Sequence, residues 1–99
     1  MTQVEMFFDE DDHYLDTPLA EYLMRYLIHH NIRGATLFSA KGGFGSKRHL
    51  HFPKKLGAAD EGPMMLLFID SEEKVREVLP HLKMVLHEGL IVTLTVDAP

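Results

Sequence analysis

A glycine-rich turn that runs into a basic segment is the part of this sequence best suited to binding chemistry. Glycine backbones admit positive φ angles and let a ligand approach closely, and their N–H groups can cradle phosphate oxygens. The candidate binding residues are Lys41, Gly42, Gly43, Phe44, Gly45, Lys47 and Arg48. The pattern is compatible with a site for a small anionic ligand, but the simpler interpretation is that the glycines only shape a turn or a bulge. It is not a P-loop, because no Gly-Lys-Ser/Thr opens a helix here.

Two histidines just beyond this turn offer a different chemistry. His49 and His51 are two positions apart, so on an extended segment both imidazoles would lie on one side and could reach one metal ion. Two ligands are too few for a tight zinc site. Further ligands would come from a neighbouring subunit or from the segment 11–13, which reads Asp-Asp-His. The alternative interpretation is that both histidines are solvated loop residues.

Catalytic chemistry has little support in the residue pattern. Asp9 and Asp70 end two predicted strands, and carboxylates at neighbouring strand ends can act as an acid and a base. Aspartates at such places more often cap helices. The chain has no cysteine, and no serine has a base partner that the sequence identifies. We therefore expect a protein that is not an enzyme.

Length, composition and charge narrow the class of protein. The 99 residues, of which 45% are apolar, have room for one domain that spans 1–99. A formal net charge of -5 disfavours a nucleic-acid partner. The N-terminus has no basic segment followed by an apolar run, so no signal peptide is predicted. Together with the absence of cysteine, this favours a cytoplasmic location.

The first half of the chain predicts three elements and a long loop. Alternating apolar residues predict a strand over Val4 to Phe8. Helical spacing predicts a helix at about 18–30, with Thr17 as its N-cap. A second strand is predicted over Ala35 to Lys41. The loop at about 43–62 is expected to be mobile, with a possible short strand inside it around His49 to Phe52; loops of this length are usually functional or disordered.

The second half predicts a buried strand, a helix and a final strand. The segment 63–70 is apolar on both faces, which is typical of a central strand. Asp70 or Ser71 is predicted to cap a helix that kinks or breaks at Pro80, because proline lacks the N–H that the helix needs. Gly89 is predicted to end this helix, and alternation predicts a last strand over 90–96.

The predicted order of elements is βαββαβ, which is the ferredoxin-like pattern of the α+β class. Two helices would cover one face of a four-stranded antiparallel sheet, with the first and third strands at its centre. The other face would be apolar and would include Phe7. Soluble monomers avoid exposing such a patch, so the pattern predicts an oligomer.

Several motifs resemble the PII-like family known as domain of unknown function 190. Gly34-Ala-Thr and Gly43-Phe-Gly45 carry the resemblance in the first half. Asp16-Thr-Pro-Leu19 is similar to the "G-K-P-L" that starts the family's first helix, and Ile69 to Val75 is similar to its "V-D-T-E-E-K-I". Matches to its "L-P-x-L" and "E-G-L-I/V" follow. The resemblance runs from Met6 to Val96 in one register.

This resemblance implies a PII-like signalling protein that forms a homotrimer, with three sheets around a central axis. Relatives in the wider superfamily bind adenine nucleotides in clefts between subunits, near the base of the loop that follows the second strand. That place corresponds to the glycine turn here. The loop at 43–62 would then dock on a target protein, for which a membrane transporter is a candidate. PII proteins proper also carry a lysine-rich glycine loop before the last strand, whereas this chain has only His87-Glu-Gly-Leu90 there.

A divalent-metal-binding trimer is the alternative that the resemblance leaves open. Another branch of the superfamily is associated with tolerance to divalent cations. In that case His49 and His51 would be the metal ligands.

Overall fold

The structure is a computed structural model that describes residues 1–44, 48, 50 and 62–98. The elements in chain order are β1 (Thr2–Asp9), β2 (His13–Tyr14), β3 (Thr17–Pro18), α1 (Leu19–His29), β4 (Thr36–Ser39), β5 (Pro63–Asp70), α2 (Glu72–Leu86) and β6 (Leu90–Thr95). The short strand predicted around His49 to Phe52 and most of the loop at 43–62 lie outside the described residues. No helix in the described part of the chain is both long enough and apolar enough to span a membrane.

β1 and β5 lie at the centre of an antiparallel sheet whose strand order is β4-β5-β1-β6. One face of this sheet is buried with α1 and α2, because alternate side chains of the central strands and the apolar stripes of both helices share one core. That core includes Val4, Met6, Leu66, Phe68, Leu23, Leu27, Val78 and Leu82. The predicted α+β ferredoxin-like fold, with two helices on one face of a four-stranded sheet, is confirmed.

The opposite face of the sheet carries a row of large apolar side chains, which we call the open-face row. Residues paired directly across strands project to the same side, and the register pairs Phe38 with Met65, Met65 with Phe7, and Phe7 with Leu90. Exposed fractions are 37% for Phe7, 46% for Phe38 and 58% for Leu90. The face predicted to be apolar is therefore uncovered in the single chain.

α1 begins after a small hairpin that the sequence did not predict. β2 and β3 pair Tyr14 with Thr17, so Leu15 and Asp16 form a two-residue turn with φ angles of 51° and 62°. Two positive φ angles are the signature of a type I′ turn. Glycine occupies the position of Asp16 in the family motif, which fits this geometry. The prediction that Thr17 is the N-cap is wrong: Thr17 lies in β3, and Pro18 occupies the cap position without a side-chain hydrogen bond.

α2 runs without a break through Pro80, where a kink or a break was predicted. Ser71 is the N-cap, as expected, and its hydroxyl oxygen accepts a 3.3 Å hydrogen bond from the Lys74 N–H. Pro80 lies inside the helix. Pro80 is exposed, and the buried residues on either side of it, including Val78 and Leu82, hold the helix on the sheet. The helix ends at Leu86 rather than at Gly89.

Asp70 joins the segment that follows α1 to the start of α2. Its side chain is 2% exposed and accepts hydrogen bonds from the N–H groups of Arg33, at 3.0 Å, and Ser71, at 2.7 Å. Burial acts to raise the pKa of Asp70, but these two hydrogen bonds and the nearby charges of Lys74 and Arg33 outweigh it, so the pKa is lowered. Asp70 thus has a structural role. Asn31, with a φ of 62°, is the left-handed residue that follows α1.

A cluster of aromatic rings also holds the two helices together. The hydroxyl of Tyr22 on α1 lies 2.7 Å from Nε2 of His81 on α2. The ring of Tyr26 stacks on His81 with a centroid distance of 4.4 Å. Burial, with a smaller contribution from Tyr22, raises the pKa of Tyr26. These contacts leave His81 half-buried and fixed against α1.

Candidate functional site

A cavity of about 340 Å³ lies where the glycine turn meets one end of the sheet. Its described lining comes from the end of β1 and the turn after it, the start of β5, the turn before β6 with the first residue of that strand, and Phe44 in the long loop. The lining residues are Phe7, Phe8, Asp9, Asp12, Phe44, Pro63, Met64, Glu88, Gly89 and Leu90. A volume of this size is at the lower end of the range for small-molecule sites.

Strand pairing brings the walls of the cavity together from distant parts of the sequence. Asp9 pairs with Pro63, and Phe7 pairs with Leu90. The Ala40 N–H donates a 2.9 Å hydrogen bond to the Pro63 carbonyl, which holds the start of the glycine turn against β5. The cavity is therefore built on the rigid sheet, and Phe44 is the part of its wall that belongs to the long loop.

Gly89 forms part of the wall, and the close approach of the chain at this position leaves no room for a side chain. A Cβ atom at Gly89 would lie 2.5 Å from the Phe7 carbonyl oxygen and 2.6 Å from Cγ of Leu86. The preceding turn departs from α2 at His87, whose φ is 49°. The short turn before β6 thus brings Glu88 and Leu90 to the cavity by passing very close to β1.

The polar part of the described lining is acidic. Asp9, Asp12 and Glu88 line the cavity together with phenylalanine, proline, methionine and leucine side chains. Asp9, Asp11 and Asp12 each place a carboxylate oxygen within 4.8 Å of the others. The Asp12 carboxylate also accepts a 3.0 Å hydrogen bond from the Asp9 N–H. Such oxygens suit hydrogen-bond donors and hard cations.

The residues predicted as the anion site are only partly brought to this cavity. Phe44 lines it, and Cζ of Arg48 lies 5.9 Å from the centroid of the Phe44 ring. Lys41 and Gly42 precede Phe44 on the turn, and Gly43 has the positive φ of 143° that glycine allows. The other predicted residues, Gly45, Lys47, His49 and His51, lie outside the described residues.

Sequence reasoning missed most of the cavity wall. Asp12 was considered only as a source of metal ligands, and Glu88 was not singled out. The available signal was the short turn at 87–90, which stands where the resemblance places the lysine-rich glycine loop of PII proteins. The idea that Asp9 and Asp70 lie at neighbouring strand ends is wrong, since β1 and β5 are antiparallel and pair Asp9 with Pro63 but Asp70 with Thr2.

Solved structures of two other proteins share this fold. One is CPII, a nitrogen regulatory PII-like protein from Thiomonas intermedia K12, bound to ADP, AMP and bicarbonate. It matches with a TM-score of 0.65 and 19% identity, covering 99% of this chain and 93% of that one. The other is CutA1 from Pyrococcus horikoshii, with a TM-score of 0.64 and 18% identity, covering 100% and 86%. The fold is that of the PII-like proteins.

The sequence itself belongs to the family known as domain of unknown function 190, described as "Uncharacterized ACR", whose model matches residues 1–98. A relative described as a UPF0166 protein, from Aquifex aeolicus (strain VF5), is 30% identical over 88 residues. That match covers 89% of this chain and 83% of the relative. The resemblance found in the sequence motifs is thereby confirmed.

Proposed function

We propose that this chain is a non-enzymatic PII-like regulatory protein that binds a small anionic effector in the cavity and docks on a target protein through the loop at 43–62. The observation that carries the proposal is the position of Phe44. This residue belongs to the loop and also lines the cavity. A ligand in the cavity would therefore contact the start of the loop directly.

An adenine nucleotide is the effector that we propose first. The PII-like protein CPII shares the fold and was solved with ADP and AMP. Arg48 lies beside Phe44, which lines the cavity, and Lys41 precedes Phe44 on the same turn. The effector would act by favouring one position of the loop over another, which requires unequal affinity for the two positions. A membrane transporter is a candidate target.

We also propose that three copies assemble through the open-face row. Phe7, Phe38 and Leu90 are too exposed to be core residues of a single chain. Phe7 and Leu90 also line the cavity, so the covered surface would adjoin the effector site. Gln3 and Glu5 project to the same face and hydrogen-bond to each other at 2.8 Å, which reduces the cost of covering them.

If the chain forms a homotrimer, multi-angle light scattering should give a mass in solution equal to that of three 11.3 kDa chains. Phe7→Asp should give monomers, because it places a charge at the centre of the covered face. Ile28→Asp is the matched control, since Ile28 is 72% exposed on α1 and lies away from that face. A monomeric wild-type protein, or an unchanged mass for Phe7→Asp, would contradict the proposed assembly.

We screen the protein against adenine and guanine nucleotides, cyclic nucleotides and divalent metals. If the effector hypothesis is right, the nucleotide that binds should raise the melting temperature. A ligand at 100 times its Kd stabilises the fold by about 2.7 kcal/mol, which corresponds to roughly 10 °C or more for a chain of this size. Lys41→Ala and Gly43→Val should abolish the response without changing the mass in solution. Unchanged binding in both variants would refute the site assignment.

The divalent-metal-binding trimer is the second candidate. The oxygens of Asp9, Asp11 and Asp12 favour it, because they lie close enough together to contact one ion. The proposed ligands His49 and His51 lie outside the described residues. In the same screen, a response to divalent metals alone, lost in Asp12→Asn, would replace the effector hypothesis with this one.

A further inference from the structure

An acidic side chain lies in the middle of the sheet face that carries the open-face row. Glu5 is on the central strand β1, where it pairs with Leu67 of β5 and with Val92 of β6. Residues paired directly across strands project to the same side, so these three side chains share that face with Phe7. Glu5 is half-buried even in the single chain. A second copy that covers the middle of this face therefore covers Glu5 as well.

The sheet around Glu5 offers no positive charge to pair with it. None of the four strands β1, β4, β5 and β6 carries lysine, arginine or histidine. Along β1, the next charged groups at alternate positions are the Asp9 carboxylate and the Met1 amino group, each four residues from Glu5 and about 13 Å away on an extended strand. The neighbours at paired and diagonal positions of β5 and β6 are all apolar: Met65, Leu67, Ile69, Leu90, Val92 and Leu94.

Gln3 is the polar group that contacts Glu5 on this face. Its Nε2 atom donates a 2.8 Å hydrogen bond to Oε2 of the Glu5 carboxylate. A neutral amide fills one of about four acceptor positions of a carboxylate, and it does not cancel the charge. Burial of a carboxylate away from a counter-ion is costly, whereas the protonated carboxyl group is neutral. A covered Glu5 therefore favours its protonated form.

We propose that Glu5 makes the assembly of this protein sensitive to pH, because its carboxylate takes up a proton when another copy covers the open face. This step rests on the proposed homotrimer and concerns its regulation. Since the assembled chains then bind more protons than the free chains, the assembly tightens as the pH falls. The gain ends below about pH 4.3, where a free glutamate side chain is itself protonated.

The test measures the association constant by analytical ultracentrifugation of a dilution series at several pH values between about 5 and 8. Each proton taken up changes this constant tenfold per pH unit, so three copies of Glu5 change it by up to about 1,000-fold. Glu5→Gln has nearly the same shape but no charge. It should assemble at least about tenfold more tightly than the wild type near pH 7.5, and the difference should shrink toward pH 5.

Two further variants keep the comparison decisive. Glu77→Gln is the matched control, because Glu77 is exposed on α2, away from the open face, and this variant should follow the wild type at every pH. If the assembly is too tight to dissociate on dilution, the same comparison is made with Phe7→Ala in both chains. That substitution removes apolar area from the same face and brings the association constant into the measurable range.

The opposite sign would overturn the proposal. If a positive charge met Glu5 in the assembly, Glu5→Gln would weaken association at neutral pH, and acid would weaken the wild-type assembly relative to the variant. Equal association constants for the two proteins at every pH would show that Glu5 stays hydrated, which refutes the pH dependence and leaves the homotrimer intact. Monomers of both proteins at every pH would refute the homotrimer itself, and the inference with it.

Discussion

Asp70→Ala is expected to lower the free energy of unfolding by about 3–5 kcal/mol. The Asp70 side chain is buried and accepts hydrogen bonds from the N–H groups of Arg33 and Ser71. Alanine leaves both part-buried donors without this acceptor, and a hydrogen bond to a charged group contributes about 1.5–3 kcal/mol. A chain of this size has only about 5–15 kcal/mol of stability in total. Urea unfolding followed by circular dichroism measures the change.

A matched control is Glu77→Ala, an exposed substitution on α2 that should change stability by less than about 0.5 kcal/mol. Equal stabilities for wild type and Asp70→Ala would contradict the role assigned to Asp70. A normal melting curve with reduced effector response alone would likewise contradict it, because the residue is placed at the opposite end of the sheet from the cavity.

The same carboxylate makes the effect depend on pH. The folded pKa of Asp70 is lowered from its ordinary value of 3.8, so its ionised form stabilises the fold at pH values above that number. This contribution is lost as the pH falls through the lower, folded pKa. The stability gap between wild type and Asp70→Asn should therefore be full at neutral pH and should narrow below about pH 3.8. A gap that stays constant in acid would show that the charge does not contribute.

Asp70 also shows how far local sequence could predict this fold. Its place before α2 indicated a helix cap, and strand and helix periodicities were strong enough to predict the order βαββαβ. The hydrogen bond from Arg33 was not predictable, because it joins residues 37 positions apart. The hairpin β2–β3 was missed since Leu15 is an unusual residue for a turn with two positive φ angles.

The candidate site was less predictable than the fold. The glycine turn drew attention to Phe44, which lines the cavity; that Phe44 contacts a ligand stays a prediction. Glu88 and Asp12 carry no such local signal. They line the cavity because strand pairing places the end of β1 beside the starts of β5 and β6. The positively charged residues in the sequence around Lys41 therefore indicated an anion site, whereas the charged side chains of the described cavity wall are acidic.

Gly89→Ala is expected to damage both the fold and the cavity. The new Cβ would lie 2.5 Å from the Phe7 carbonyl oxygen and 2.6 Å from Cγ of Leu86. The backbone of β1 cannot move aside without disturbing the pair Phe7–Leu90. Overpacking of this kind costs about 1–3 kcal/mol. We expect a lower urea midpoint together with loss of effector binding, because Gly89 and both members of that pair line the cavity.

Gly34→Ala separates this close approach from the general effect of replacing glycine. A Cβ at Gly34 would meet nothing within 4 Å, so the substitution should leave stability unchanged or raise it by up to about 1 kcal/mol, through the reduced entropy of the unfolded chain. Effector binding should be that of the wild type. If Gly89→Ala behaved like Gly34→Ala in both assays, the turn before β6 would not be held against β1, and the cavity could not have the wall on which the effector site depends.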